Sequence, residues 1–85
     1  MIAPADLEAR IRSGIPDAQV VEVEDLTGTQ DHYRALIVAP SFATLGRVEQ
    51  HRVVYRALGE LMAGPVHALT LQTYTPEAWA RARQG

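Results

Sequence analysis

Two strand-like segments separated by one helix-length segment are the feature that most constrains the fold of this chain. The first covers residues 32–38 and begins at His32, and the second runs to residue 74 with His67 at its start. A single helix between two strands forms a crossover that returns the second strand parallel to the first. Neighbouring strands of such a sheet begin at the same edge, about 4.8 Å apart. The sequence therefore predicts two imidazoles at one rim, within reach of a single metal ion.

Length and composition indicate one small globular domain over residues 1–85. The hydrophobic content of 47% is typical of a folded protein, although so short a chain buries only a small core. Cysteine is absent, which excludes disulfides and a thiolate metal site built by this chain alone. No apolar run reaches about 20 residues, and no basic and apolar leader opens the chain. We expect a cytoplasmic protein without a membrane anchor.

The local patterns predict the order α-β-β-α-α-β-α. This order indicates an α+β fold with a three-stranded mixed sheet and helices packed on one face. Proline and acidic residues near helix starts, and glycine after helix ends, set most of the boundaries. The predicted elements are a helix over residues 4–12, strands over 19–25 and 32–38 joined by a hairpin loop, a helical turn capped by Ser41, a helix over 47–62, a strand over 66–74, and a helix capped by Thr75 with a frayed tail over 81–85.

The charge pattern argues against a generic nucleic-acid binder but leaves a local basic face possible. The chain has a net charge of −2, with eight arginines and no lysine, whereas non-specific affinity for phosphate backbones comes mainly from cations. Residues 47–56 nevertheless carry Arg47, Arg52 and Arg56 against Glu49 alone. This helix is open to three interpretations: a solvated face, a surface that docks a partner, or a surface that contacts nucleic acid.

Nothing in the sequence favours an enzyme. A cysteine nucleophile is absent, and the two serines, Ser13 and Ser41, lie in no nucleophile elbow. The chain also lacks a glycine-rich phosphate loop. We therefore expect a protein that binds or carries, with no catalytic residues.

Three motifs in the second half of the chain point to a known family. Residues 48–55 (Val-Glu-Gln-His-Arg-Val-Val-Tyr) are similar to an Arg-His-Arg-x-Val segment, residues 65–69 (Pro-Val-His-Ala-Leu) to Ile-His-Ala-Leu, and residues 74–79 (Tyr-Thr-Pro-Glu-Ala-Trp) to Thr-Pro-x-x-Trp. His32-Tyr33 and Ser41-Phe42 fit the same family's loop and middle. On these residues, from about 7 to 79, the chain resembles the BolA family.

This resemblance implies a class II KH-like fold, which agrees with the predicted order. It also implies partnership with a monothiol glutaredoxin, the two proteins bridging a [2Fe-2S] cluster in iron homeostasis and the stress response. The glutaredoxin cysteine and a glutathione thiol would hold one side of the cluster, and His67 and His32 the other. The free protein would carry no cluster and be a monomer or weak homodimer. Some members of the family are described as DNA-binding transcriptional regulators, which is the alternative function and would use the helix over residues 47–62.

The sequence departs from the family pattern at a few positions. Gln50 replaces the first arginine of the Arg-His-Arg segment, Ala43 and Thr44 replace the end of a Phe-x-Gly pattern, and the loop position carries His32 rather than cysteine. With histidine at this loop position, the chain resembles the acid-stress subgroup of bacterial BolA proteins more than the subgroup that has cysteine there. The third histidine, His51, lies within the long helix and is open to interpretation as a packed residue, an interface contact or an accessory ligand.

Overall fold

The computed structural model of the chain describes residues 2–26, 28, 32–64, 66 and 68–84. Within these residues, the helices and strands follow one another in the predicted order. Their bounds are α1 Pro4–Gly14, β1 Val20–Asp25, β2 His32–Val38, α2 Arg47–Leu58, β3 Ala68–Tyr74 and α3 Pro76–Gln84, with 3₁₀ helices over Pro40–Thr44 and Gly59–Ala63. None of the helices in this part of the chain has the length and apolarity needed to cross a bilayer.

The three strands form one mixed sheet in the order β1-β2-β3. β1 pairs with β2 antiparallel, Val21 lying opposite Ile37, while β2 pairs with β3 parallel. The helix between β2 and β3 is therefore the predicted crossover, and the predicted mixed sheet is confirmed. Most of the predicted hairpin loop, residues 27 and 29–31, lies outside the described residues.

The core lies between the sheet and the helices α1 and α2. Alternate residues of β2 turn towards the helices and are fully buried, namely Tyr33, Ala35 and Ile37. They pack with apolar residues of both helices and of the first 3₁₀ helix, including Leu7, Ile11, Phe42, Val54 and Leu58. On the opposite parity, His32 and Arg34 are exposed, and Arg34 pairs with Glu24 at 2.6 Å. This alternation is why the sheet has one covered face and one polar face.

The long helix ends earlier than predicted. The sequence predicts helix over residues 47–62, but α2 ends at Leu58 and a 3₁₀ helix follows. Gly59 has φ of +55° and ψ of −127°, a conformation that glycine adopts at little cost and other residues avoid. A glycine inside a helical pattern is tolerated often enough that the sequence alone predicts no stop at Gly59.

The last helix is longer than predicted. The tail over residues 81–85 was expected to fray, whereas α3 continues to Gln84. The Arg83 guanidinium lies 5.8 Å from the ring centroid of Trp79, and arginines in the last turn favour a helix C-terminus. Trp79 in turn contacts Tyr74, the last residue of β3, with 5.3 Å between ring centroids.

Ser41 does not cap a helical turn as predicted. The first 3₁₀ helix begins at Pro40, so its N-cap residue is Ala39, and it has no side-chain cap. The backbone N–H of Ser41 donates to Asp17 at 2.8 Å, and its hydroxyl donates to the same carboxylate at 3.0 Å. The backbone hydrogen bond is the main reason that the pKa of Asp17 lies below its usual value, and the hydroxyl acts in the same direction. This contact joins the loop before β1 to the segment after β2.

Candidate functional site

The rim predicted to carry two histidines is formed by the starts of β2 and β3. His32 is the first residue of β2, is exposed, and lies opposite Ala68 in the parallel register. Its carbonyl accepts a hydrogen bond from the Leu26 N–H at 2.9 Å, which holds the start of β2 against the end of β1. His67 precedes Ala68 in the sequence, and its own position lies outside the described residues.

The metal-ligand chemistry of the described residues is sparse. No group of three or more histidine, cysteine, aspartate or glutamate side chains is arranged there to hold a metal ion. His32 therefore presents an imidazole at a rim without a set of neighbouring ligands among these residues. An imidazole in such a position suits a borderline metal such as iron.

A second candidate site is the groove between α2 and the outer edge of β3. His51 and Arg47 line it together with residues 71–74, around a volume of about 290 Å³. The groove continues past Gln50 towards Thr75 and the first turns of α3. His51 is half-buried. The structure thus places it beside β3, rather than at the rim that carries His32.

Arg52 and Arg56 lie on a different face of α2 from Arg47. At 3.6 residues per turn, Arg52 is rotated by roughly 140° and Arg56 by roughly 180° from Arg47. Both are exposed, and Arg52 is 3.4 Å from Glu49. Beside them, Val48 and Tyr55 are 66% and 40% exposed. The basic residues predicted as one surface therefore occupy two faces, one in the groove and one open to solvent.

Gln50 connects the walls of the groove, a role that sequence reasoning did not predict. Its side-chain N–H₂ donates to the carbonyls of Phe42 and Leu45 at 3.1 and 3.0 Å. Its side-chain carbonyl accepts from the Thr73 hydroxyl at 2.7 Å. One side chain thus ties α2 to the preceding 3₁₀ segment and to β3. The sequence marked this position only as a departure from the family pattern.

The sequence of this chain matches the model of one known protein family. The family model described as BolA-like protein matches residues 4–78, which is most of the chain. The chain belongs to the BolA family. The resemblance of its motifs is thereby confirmed, together with the predicted α+β fold. Proteins of the BolA family are regulatory or partner proteins.

Individual BolA relatives agree with this assignment. BolA-like protein 1 from Mus musculus is 36% identical over 87 residues, which cover 91% of this chain and 64% of the mouse protein. The structure of a BolA homologue from Coxiella burnetii matches with a TM-score of 0.82 and 33% identity, covering 95% of this chain and all of the other. A protein named DNA-binding transcriptional regulator BolA, from Haemophilus influenzae, is 35% identical over 52 residues, covering 61% of this chain and half of that protein.

Proposed function

We propose that this BolA-family protein is a non-enzymatic partner of a monothiol glutaredoxin and that it binds or transfers a bridging [2Fe-2S] cluster through His67 and His32. The observation that supports it best is the parallel register, in which His32 lies opposite Ala68, the residue after His67. Ligands at the starts of two neighbouring parallel strands would lie close enough together to bind one cluster. The resemblance of both histidines to the family's ligand positions supports the same residues.

The ligand chemistry requires a partner. A [2Fe-2S] cluster takes four ligands, usually cysteine thiolates. This chain has no cysteine, so His67 and His32 would hold one iron and leave the other iron to thiols from elsewhere. The glutaredoxin cysteine and a glutathione thiol complete that set. Two imidazoles on one iron are also the arrangement that raises the reduction potential in Rieske centres.

Anaerobic reconstitution tests this proposal. The protein would be mixed with a monothiol glutaredoxin, iron, sulfide and glutathione, and followed by visible absorption and circular dichroism. We expect a spectrum distinct from that of glutaredoxin alone. Changing His67→Ala should abolish or alter that spectrum, because one iron loses a ligand, and His32→Ala should alter it as well.

His51→Ala is the matched control, because it removes the third imidazole from a different part of the molecule. We expect its spectrum to equal that of the unchanged protein. Far-ultraviolet circular dichroism of each variant separates loss of a ligand from loss of the fold. An unaltered cluster spectrum with His67→Ala would refute the ligand assignment.

A second candidate function is DNA binding, favoured by the name of the Haemophilus influenzae relative. The exposed face of α2 that carries Arg52 and Arg56 is where contacts to a duplex would form.

Salt dependence tests this second candidate. If each arginine neutralises one phosphate, Arg52→Ala lowers the magnitude of the slope of log K against log salt concentration by about 0.9. Fluorescence anisotropy with a DNA duplex at several salt concentrations measures this slope. Arg10→Ala is the control, because it removes the same charge from α1 rather than from this face of α2. Arg10 also already pairs with Glu60 at 2.7 Å. An unchanged slope with Arg52→Ala would exclude readout by this face.

A further inference from the structure

The outer edge of β3 offers a row of main-chain hydrogen-bonding groups. β3 is an end strand of the sheet, and within the described residues only β2 pairs with it. The Ala39 N–H donates to the Tyr74 carbonyl at 3.1 Å, so Tyr74 turns its main-chain groups towards β2. Because these groups alternate in direction along a strand, Thr73 and Leu71 turn theirs outward, into the groove.

The groove over this edge has a basic and polar lining. Arg47 and His51 lie on its α2 side, and none of the described residues that line it is acidic. Neither of these two side chains makes an ion pair or a side-chain hydrogen bond with another described residue. The hydrogen bond from Thr73 to Gln50 fixes the strand against the helix at 2.7 Å. The groove is therefore preformed, and the Arg47 guanidinium and the His51 imidazole are available to a ligand.

The spacing of these groups matches an extended peptide. Arg47 lies at the Thr75 end of β3 and His51 at the Leu71 end, so α2 runs antiparallel to the strand. Four residues of helix advance by about 6 Å, and two residues of strand by about 6.6 Å. Side chains of an added strand that lie opposite Leu71 and Thr73 would point to the same face as theirs, towards α2. Alternate residues of such a strand can therefore each meet one basic group.

We propose that the outer edge of β3 binds an extended segment of a partner protein by strand addition, and that this segment carries acidic residues at alternate positions. Main-chain bonds to Leu71 and Thr73 would supply the affinity, while Arg47 and His51 would select the acidic side chains. This site is separate from the rim at His32, so the inference does not depend on the proposed cluster chemistry.

Other occupants fit the groove less well. A KH domain clamps single-stranded nucleic acid with a Gly-x-x-Gly loop, whereas residues 43–46 here contain one glycine and no cation. A second copy of the chain could offer the other end strand of its sheet, β1. However, Glu22 and Glu24 of β1 lie on the sheet face opposite the helices. In a continuous sheet with all helices on one side, these two carboxylates would not reach Arg47 or His51. Asp25, which lies opposite Tyr33 and so has the helix-facing parity, would offer one carboxylate rather than two at alternate positions.

Fluorescence anisotropy with a labelled peptide of sequence Thr-Val-Glu-Val-Glu-Val-Thr tests the acidic preference. We expect saturable binding, and Arg47→Gln to weaken it by about fivefold, the scale of one exposed ion pair. Arg52→Gln is the matched control, because it removes the same charge from the same helix outside the groove, and should change the affinity less than about twofold. A peptide with glutamine in place of both glutamates should bind more weakly than the parent.

Thr73 variants test the main-chain contacts. Thr73→Pro removes the outward N–H without removing a bond to β2, as proline does on an edge strand. Thr73→Val removes the hydroxyl bond to Gln50 but keeps the N–H. We expect binding to be lost with proline and retained with valine. Two N-methylated peptides provide the same test from the ligand side, one methylated at the odd-numbered amides and the other at the even-numbered amides. The peptide whose strand-facing N–H groups are methylated should lose binding, and the other should keep it. These two peptides are called the two N-methylated phases.

Several results would overturn the inference. They are a Kd above about 1 mM, equal binding of the glutamine peptide, equal effects of Arg47→Gln and Arg52→Gln, or retained binding in both N-methylated phases. Tighter binding of a single-stranded oligonucleotide that displaces the peptide would assign the groove to nucleic acid. A dimer by light scattering that the peptide dissociates would assign it to a second copy.

Discussion

Gly14→Ala should destabilise the protein by about 1–2 kcal/mol, although alanine is the better helix former. Gly14 ends α1 where it meets α2, and a methyl group added there would lie 2.5 Å from Ala57 Cβ and 3.0 Å from Ala57 Cα. Carbon atoms normally pack at about 3.5–4.0 Å, so the helices must move apart. Overpacking of this kind costs about 1–3 kcal/mol, against a gain of about 0.5–1 kcal/mol for removing a helical glycine. In thermal unfolding the midpoint should fall by roughly 5–15 °C.

A double-mutant cycle with Ala57→Gly shows whether the helix contact causes the loss. Ala57→Gly alone should cost about 1 kcal/mol from helix propensity. Because it removes the methyl group that Gly14→Ala would meet, the double variant should be more stable than the two single losses predict, by at least about 1 kcal/mol. Additive losses would mean that the contact with the Ala57 methyl group does not cause the loss. A Gly14→Ala protein as stable as the parent would mean that the helices separate without cost.

The element order could be predicted from the sequence because it depends on local patterns. Residues 32–38 were predicted as a strand and form β2 with those bounds. Alternating apolar residues predict β1, and the Thr-Pro pair predicts the start of α3, in both cases to within a few residues. The crossover rule then fixed the parallel pairing of β2 and β3, since it needs no knowledge of side-chain contacts.

Features that depend on contacts between distant residues could not be predicted. Asp17 and Ser41 meet across 24 positions of sequence, and no periodicity marks either residue. The end of α2 at Gly59 depends on a backbone conformation that a glycine permits but does not require. In the sequence, Gly14 indicates only the end of a helix, whereas in the fold its lack of a side chain matters for packing against Ala57.

The two candidate sites also differ in how far they can be predicted from the sequence. The predicted rim follows from strand order, so sequence reasoning reached it, and the described residues place His32 there. The groove depends on how α2 lies against β3, which the helical pattern alone does not specify. An amphipathic helix predicts one buried stripe, but not that Arg47 and His51 border the stripe beside a free strand edge.

Gln50→Ala should cost about 2–3 kcal/mol, a larger loss than that expected for Gly14→Ala. The side chain makes hydrogen bonds to Phe42, Leu45 and Thr73 in a partly buried setting. Each such bond contributes about 0.5–1.5 kcal/mol, and more if its partner is left unpaired. Urea unfolding should show a lower midpoint with an unchanged slope, because the same surface is exposed on unfolding. Glu49→Ala, which changes the neighbouring exposed residue and its ion pair with Arg52, should cost less than about 0.5 kcal/mol.

Thr73→Val separates the contributions of the three hydrogen bonds. It removes only the bond to β3 and should cost about 1 kcal/mol. In the Gln50→Ala protein that bond is already absent, so adding Thr73→Val should cost little more, a coupling of about 1 kcal/mol. Equal losses for Gln50→Ala and Thr73→Val would mean that the bonds to Phe42 and Leu45 contribute nothing. The predicted excess for Gln50→Ala would instead show that this residue stabilises the segment before α2 as well as the contact between α2 and the edge of β3 that forms the groove.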